Sequence, residues 1–223
     1  MGGTCVNVGC GPSKALLHAA EVLHLAKHHG IPGLELAVER FDFATVVRDG
    51  LALVVRLRQE KYSKVLAQLE RVDFIEGRAS FAGPHEVEVN GQRLRANRFV
   101  IATGSTATVP PIEGIREVGF ITHIEALQLE QQPKALLVVG AGPLGLEFAQ
   151  LYARFGTKVT ILQRNRSIFP RTEPELASRL AEVLQQEGIT VEAGAAISRA
   201  HRAGGKKVLT YAVQGRTREV VGD

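Results

Sequence analysis

The stretch from Ala135 to Leu162 constrains the fold more than any other part of the chain. Ala135–Val139 is a continuous apolar run and Gly140-Ala141-Gly142-Pro143-Leu144-Gly145 is a G-x-G-x-x-G loop. Leu146–Phe155 has helical apolar spacing closed by Gly156, and Lys158–Leu162 is a second apolar run. Strand, glycine loop, helix and strand in that order specify a parallel βαβ unit that binds a dinucleotide. The glycines let the backbone approach a pyrophosphate, and the helix N-terminus offers it unpaired amides and the positive end of the dipole. Gly140, Gly142, Pro143, Leu144 and Gly145 are therefore candidate nucleotide contacts. Sites for NAD carry an acidic residue about 20 positions on, which holds the ribose hydroxyls. Gln163 stands there instead, followed by Arg164, Asn165 and Arg166, with Arg171 a little further along. A neutral side chain removes repulsion of a 2′-phosphate, and guanidinium forks bind one bidentately. NADPH is the expected nucleotide.

Both cysteines, Cys5 and Cys10, fall in the string Gly3-Thr4-Cys5-Val6-Asn7-Val8-Gly9-Cys10-Gly11-Pro12-Ser13-Lys14. A disulfide needs Cα atoms within about 4.4 to 6.8 Å, which positions five apart on a regular helix exceed. The spacing predicts a tight non-helical turn at Gly9, with Pro12 opening a helix that runs to about His29. Cys10 then precedes a helix N-terminus, where the dipole favours a thiolate. A structural disulfide and a pair of buried thiols are the alternatives. Zinc is a weaker rival, because two cysteines alone leave a tetrahedral site incomplete. His18, His24, His28 and His29 follow on the same helical stretch and are expected in solvated or core roles.

The remaining segments predict an α/β chain. Helical periodicity runs from Asp42 to Leu69 with Gly50 as a possible bend, and alternation then gives a strand at Val72–Glu76. Asn90-Gly91 joins Glu86–Val89 to Gln92–Arg95 as a hairpin. Phe99–Ala102 is an apolar strand ending in Thr103-Gly104-Ser105, and Val109-Pro110-Pro111 is an extended linker. Beyond the βαβ unit come a helix at Glu173–Glu187 with Thr172 as its cap, a strand at Ile189–Glu192, and alternating segments at Val208–Val213 and Thr217–Val221. Gly222-Asp223 is expected to be a loop. The fold class is α/β with two Rossmann-like domains, each incomplete and each with an antiparallel meander, divided as residues 1–115 and 116–223. With 223 residues, 45% of them hydrophobic, the chain can bury a sizeable core. A net charge of +4 without a dense run of Lys or Arg argues against a nucleic-acid groove. No apolar run reaches the roughly 20 residues of a membrane span and no leader pattern opens the chain, so a cytoplasmic location is expected. A disulfide in a reducing compartment is more often catalytic than structural.

The string Thr4–Lys14 resembles the redox-disulfide signature of the FAD-dependent pyridine nucleotide-disulfide oxidoreductases, and the resemblance runs over essentially all 223 residues. It implies that Cys10 forms the thiolate against the flavin, that Cys5 is the outer sulfur facing substrate, and that Lys14 sits near the flavin and pairs with Glu147 beside the nicotinamide. Thr4, Ala79, Thr103, Gly104 and Ser105 would contact FAD, and Ile197 the adenine side of the nucleotide. Gly11 departs from the branched apolar residue usual in the family. The Thr4–Lys14 string, Lys61-Tyr62 and Gln163-Arg164-Asn165 most resemble the Hg(II)-reducing branch, in which Cys5 and Cys10 would hold Hg(II) as substrate. The branch that oxidises dihydrolipoamide is the runner-up, and a non-catalytic remnant that at most binds NADPH is the reading of another class. The resemblance implies an internal portion of the family's chain, without its first FAD-binding glycine motif or its dimerisation domain, and a parent that is a homodimer.

Overall fold

Leu16, Ala20 and Leu23 share one face of a long helix, and their burial with Phe43 and Val47 of a second helix organises the N-terminal half. The computed structural model describes residues 1–223. A short helix α1 (Thr4–Asn7) precedes the long helix α2 (Cys10–His28). Helix α3 (Phe43–Arg58) runs into a π-helical turn at Gln59–Ser63 and ends in α4 (Lys64–Ala67). Asp42 caps α3 by accepting from the Thr45 amide at 3.1 Å. Gly50 lies under Leu16, where an added Cβ would stand 3.4 Å from Leu16 Cδ2. Gly50 thus serves close helix approach, and the irregularity in this helical region falls at the π-helical turn instead.

After the short helices α5 (Ile115–Val118) and α6 (His123–Ala126), strand β4 (Ala135–Val139), helix α7 (Pro143–Phe155) and strand β5 (Lys158–Gln163) form the βαβ unit. Helix α8 (Pro174–Gln186) leads to β6 (Thr190–Ala193), and the three strands pair in parallel in the order β4-β5-β6. Central strand β5 is buried on both faces, which explains its unbroken apolar run. The larger core joins α2 and α3 to α6, α7, β5 and Ile189, so it draws on both sides of residue 115. Tyr152, at 1% exposure, donates its hydroxyl to the Ala126 carbonyl at 2.6 Å, and burial pushes its pKa far up. On the opposite face of the sheet, β7 (Ala196–Ala203), β8 (Lys206–Val213) and β9 (Arg216–Gly222) form an antiparallel meander over a second core that includes Leu162, Leu209 and Tyr211. Gly222 ends β9 rather than standing in a loop. Asp223 then accepts from the Lys134 and Ala135 amides at 2.7 and 2.9 Å, tying the meander to the start of β4.

A smaller antiparallel sheet holds β1 (Ser80–Gly83), β2 (Glu86–Val89) and β3 (Gln92–Arg95), with Asn90 and Gly91 at φ 52° and 79° in the hairpin turn. Two predicted strands do not form. Val72–Glu76 and Phe99–Ala102 are irregular, and Val100 and Ile101 are 93% and 71% exposed. Apolar alternation marks a segment able to enter a sheet. It becomes a strand only where a neighbouring edge supplies backbone hydrogen bonds, and neither segment has that partner. The N-cap of α8 is Glu173 rather than Thr172, whose hydroxyl donates to the Glu173 carboxylate at 3.2 Å. No helix is long and apolar enough to cross a membrane.

Candidate active site where α2 meets α7

The cysteine string folds as two helical pieces and not as the non-helical turn its spacing predicts. Cys5 lies in α1, the chain breaks at Val8-Gly9, and Cys10 is the first residue of α2. It is the break that brings the two turns together. A Cβ on Gly9 would stand 2.8 Å from the Thr4 carbonyl oxygen and 3.1 Å from Cys5 Cα. Only a residue without a side chain lets α2 begin directly beside α1. Asn7 closes the arrangement: its Nδ2 donates to the Gly2 carbonyl at 2.9 Å, and its Oδ1 accepts from both Nε and a terminal nitrogen of Arg58 at 3.1 and 2.9 Å. The Arg58 fork clamps the redox turn to the end of α3. Nothing local in the sequence announces this contact, because the partners are 51 residues apart.

Cys5 and Cys10 are both exposed and unbridged. Cys10 holds the Cys5 thiol above its ordinary range, first through a hydrogen bond between the sulfurs and then through repulsion of a second thiolate. A hydrogen bond from the Cys10 backbone and the charge of Lys61 act in the opposite direction. Replacing Cys10 by alanine removes the two main causes, so alkylation of Cys5 by iodoacetamide is expected to set in at lower pH than in the unmodified dithiol. A pH profile of labelling read by peptide mass checks this, and an unchanged or higher midpoint would contradict it.

Lys14, on the second turn of α2, places Nζ 2.6 Å from Glu147 Oε1, on the second turn of α7. Side-chain exposures of 56% and 38% make this a solvent-facing pair that contributes little stability. Its interest is positional, since it bridges the helix carrying Cys10 and the helix that starts at the glycine loop, which the shared core packs together. That loop is shaped by backbone approach. Gly140 has φ 103°, and a Cβ on Gly145 would meet the Gly140 carbonyl oxygen at 2.3 Å. Gly142 caps α7 without any side-chain hydrogen bond, so the first-turn amides of Leu144 and Gly145 remain free for an anion.

Gln163, at the end of β5, is turned inward at 8% exposure. Its Oε1 accepts from the Ala141 amide at 3.1 Å and its Nε2 donates to the Ser167 carbonyl at 3.4 Å. It supports the glycine loop from beneath, while Arg164, Arg166 and Arg171 are exposed. Ile197 is half-buried in β7 and packs on the second core. Thr4 opens α1, and Ala79, Thr103, Gly104 and Ser105 lie in exposed irregular chain with no hydrogen bond to the redox turn. The free amides, the glycine cradle and the exposed arginines fit an anionic dinucleotide. The residues expected at the flavin present open backbone, hydroxyls and the Lys14 ammonium.

A dinucleotide-type glycine cradle on one helix, packed and ion-paired against a second helix that opens on two neighbouring thiols, defines an α/β protein in which a nucleotide loop and a dithiol share one core. Residues 1–222 match the profile of the family described as pyridine nucleotide-disulphide oxidoreductase, and the chain belongs to that family. It is 37% identical over 218 residues to a mercuric reductase of Bacillus cereus, covering 98% of this chain and 34% of that protein. It is 38% identical over 232 residues to a dihydrolipoyl dehydrogenase of Thermus scotoductus, covering 99% of this chain and 48% of that one. The solved HOCl-induced flavoprotein disulfide reductase RclA from Escherichia coli superposes with a TM-score of 0.82 at 28% identity, covering 100% of this chain and 46% of that one. The chain thus spans between 34% and 48% of the length of these relatives.

Proposed function

We propose that the chain serves a flavin-dependent oxidoreductase that uses NADPH to reduce the Cys5–Cys10 pair, whose thiols then reduce Hg(II). The observation that carries this reading is the 2.6 Å Lys14–Glu147 pair, because it ties the dithiol helix to the nucleotide helix. FAD, when bound, supplies two-electron transfer between nicotinamide and disulfide. Thr4, Lys14, Ala79, Thr103, Gly104 and Ser105 would hold it, with the Lys14 ammonium offsetting negative charge there. Gly140, Gly142, Pro143, Leu144 and Gly145 would bind the NADPH pyrophosphate, Glu147 would adjoin the nicotinamide, Ile197 the adenine side, and Arg164, Arg166 or Arg171 the 2′-phosphate. Soft thiolates suit Hg(II). Cys5 must release its proton before both sulfurs can ligate the ion, and Lys61 favours that release. A cytoplasmic homodimer belongs to the same proposal.

The test is NADPH oxidation by the purified flavoprotein with Hg(II) and excess thiol, set against oxidised lipoamide. Hg(II)-dependent turnover that disappears in both Cys5→Ser and Cys10→Ser is expected. Turnover with oxidised lipoamide and NADH in preference would establish the dihydrolipoamide branch instead. A protein that never binds flavin, or activity surviving either cysteine replacement, ends the proposal. Among Arg164→Ala, Arg166→Ala and Arg171→Ala, at least one is expected to raise the KM for NADPH by about tenfold or more, since a charge-assisted contact contributes about 1.5–3 kcal/mol. The KM for NADH is expected to stay unchanged in that variant, and equal effects on both nucleotides would remove the arginine argument.

A further inference from the structure

The two sulfurs are carried by pieces of very different firmness. Cys10 opens α2, a helix of 19 residues whose Leu16, Ala20 and Leu23 lie in the main core. Cys5 lies in α1, which has four residues and buries only Val6. A helix that short does not persist by itself, because its few backbone hydrogen bonds do not offset the order they require. Contacts outside α1 must therefore hold Cys5 before Cys10. Arg58, the last residue of α3, donates from both Nε and a terminal nitrogen to Asn7 Oδ1 at the C-terminal end of α1, at 3.1 and 2.9 Å. The guanidinium pairs with no carboxylate, so this amide oxygen is its side-chain partner.

The helix beyond Arg58 is shaped to the same contact. The Lys64 amide donates to the Gln59 carbonyl five residues back, which makes Gln59–Ser63 a π-helical turn between α3 and α4. Positions five apart stand about 140° apart around an α-helix, and the wider turn brings them back toward one side. Arg58 and Ser63 are such a pair, and both reach the N-terminal segment: Ser63 Oγ donates to Met1 Sδ at 3.7 Å, while Asn7 Nδ2 holds the Gly2 carbonyl at 2.9 Å. The same turn carries Lys61, whose charge acts on Cys5. The geometry points to Arg58 as a positioning residue for the dithiol: acting through Asn7, it fixes α1 so that the Cys5 sulfur stays within reach of Cys10 and the pair closes readily to a disulfide. This rests on the redox role proposed above for the two cysteines. Anchoring raises the effective concentration of one sulfur toward the other, which makes the closed pair harder to reduce. With oxidised glutathione as acceptor, closure forms the Cys5–Cys10 bond and breaks the glutathione disulfide. The electron pair and the two thiol protons pass to two molecules of glutathione.

The test equilibrates the full chain with reduced and oxidised glutathione, without nicotinamide, flavin or Hg(II), and counts free thiols. Arg58→Ala is expected to lower the closure equilibrium constant by about tenfold, a rise in reduction potential of about 30 mV. Arg58→Lys should show the same loss, because an ammonium keeps the charge but not the planar fork. Asn7→Ala should lose at least as much, and adding Arg58→Ala to it should change nothing more. Arg56→Ala removes a neighbouring exposed cation and should leave the equilibrium as it was. Far-UV circular dichroism should match the parent in every variant, since neither Arg58 nor Asn7 belongs to the main core. Parent-like closure in Arg58→Ala, full rescue by lysine, or a further loss on top of Asn7→Ala would overturn the proposal. Failure to reduce Hg(II) would leave this result standing, because the readout needs only the two thiols.

Discussion

Gly145→Val is expected to weaken binding of the proposed nicotinamide dinucleotide by about a hundredfold, or close to 3 kcal/mol. The reason is steric. A Cβ at this position would stand 2.3 Å from the Gly140 carbonyl oxygen and 3.4 Å from Val138 Cγ1. The first of these is backbone, and it cannot swing aside as a side-chain end could. Gly140 is also pinned, since its amide donates to the Leu162 carbonyl at 2.9 Å. Helix α7 must therefore shift away from β4, which carries the free amides of its first turn off the pyrophosphate position and loosens the Lys14–Glu147 pair. Fluorescence titration with NADPH measures the loss. Leu176→Ala serves as the control, because Leu176 lies on α8 outside the glycine loop and is 62% exposed. Wild-type affinity in Gly145→Val would mean that the nucleotide does not use this loop.

Gly9→Val separates the sulfurs. The added side chain would collide with the Thr4 carbonyl oxygen and Cys5 Cα, both backbone, and α1 has to swing away from the start of α2. Reacting atoms displaced by about 1 Å can lose on the order of a hundredfold in rate. Oxidation of the dithiol to an intramolecular disulfide is therefore expected to slow by about that factor, measured by free-thiol titration against time. Far-UV circular dichroism should stay close to wild type, because the strain is confined to a surface turn outside the 19-residue core. Disulfide closure at the wild-type rate would show that Gly9 does not govern the approach. The two substitutions fail for related reasons and would disable opposite ends of the proposed electron path.

Much of the architecture was legible from periodicity. The βαβ unit, the Asn90-Gly91 hairpin and the extent of α2 follow from apolar spacing and turn residues, which are local properties of the chain. Strand β7 was not read, because its burial alternates only loosely along Ala196–Ala203 and its pairing with β8 lies across a turn. Val72–Glu76 and Phe99–Ala102 carry strand-like sequence and form none, because a strand is completed by a neighbour. The cysteine spacing predicted a non-helical turn, whereas each sulfur sits in a helical piece of its own and only Val8-Gly9 breaks the helix, because α1 can close against α2 once Gly9 lets the backbones meet.

The order of residues by itself determined that a glycine cradle stands on a helix N-terminus and that two thiols stand beside a helix start, since both depend on contacts between near neighbours in the chain. It also placed Gln163 at the nucleotide end of β5. Folding in three dimensions decided that Gln163 turns inward to support Ala141, that Arg58 grips Asn7, and that Lys14 reaches Glu147 across 133 residues. Those outcomes depend on how α2, α3, α7 and the parallel sheet share one buried core. Packing of that kind is a property of the whole assembly and is written in no single segment.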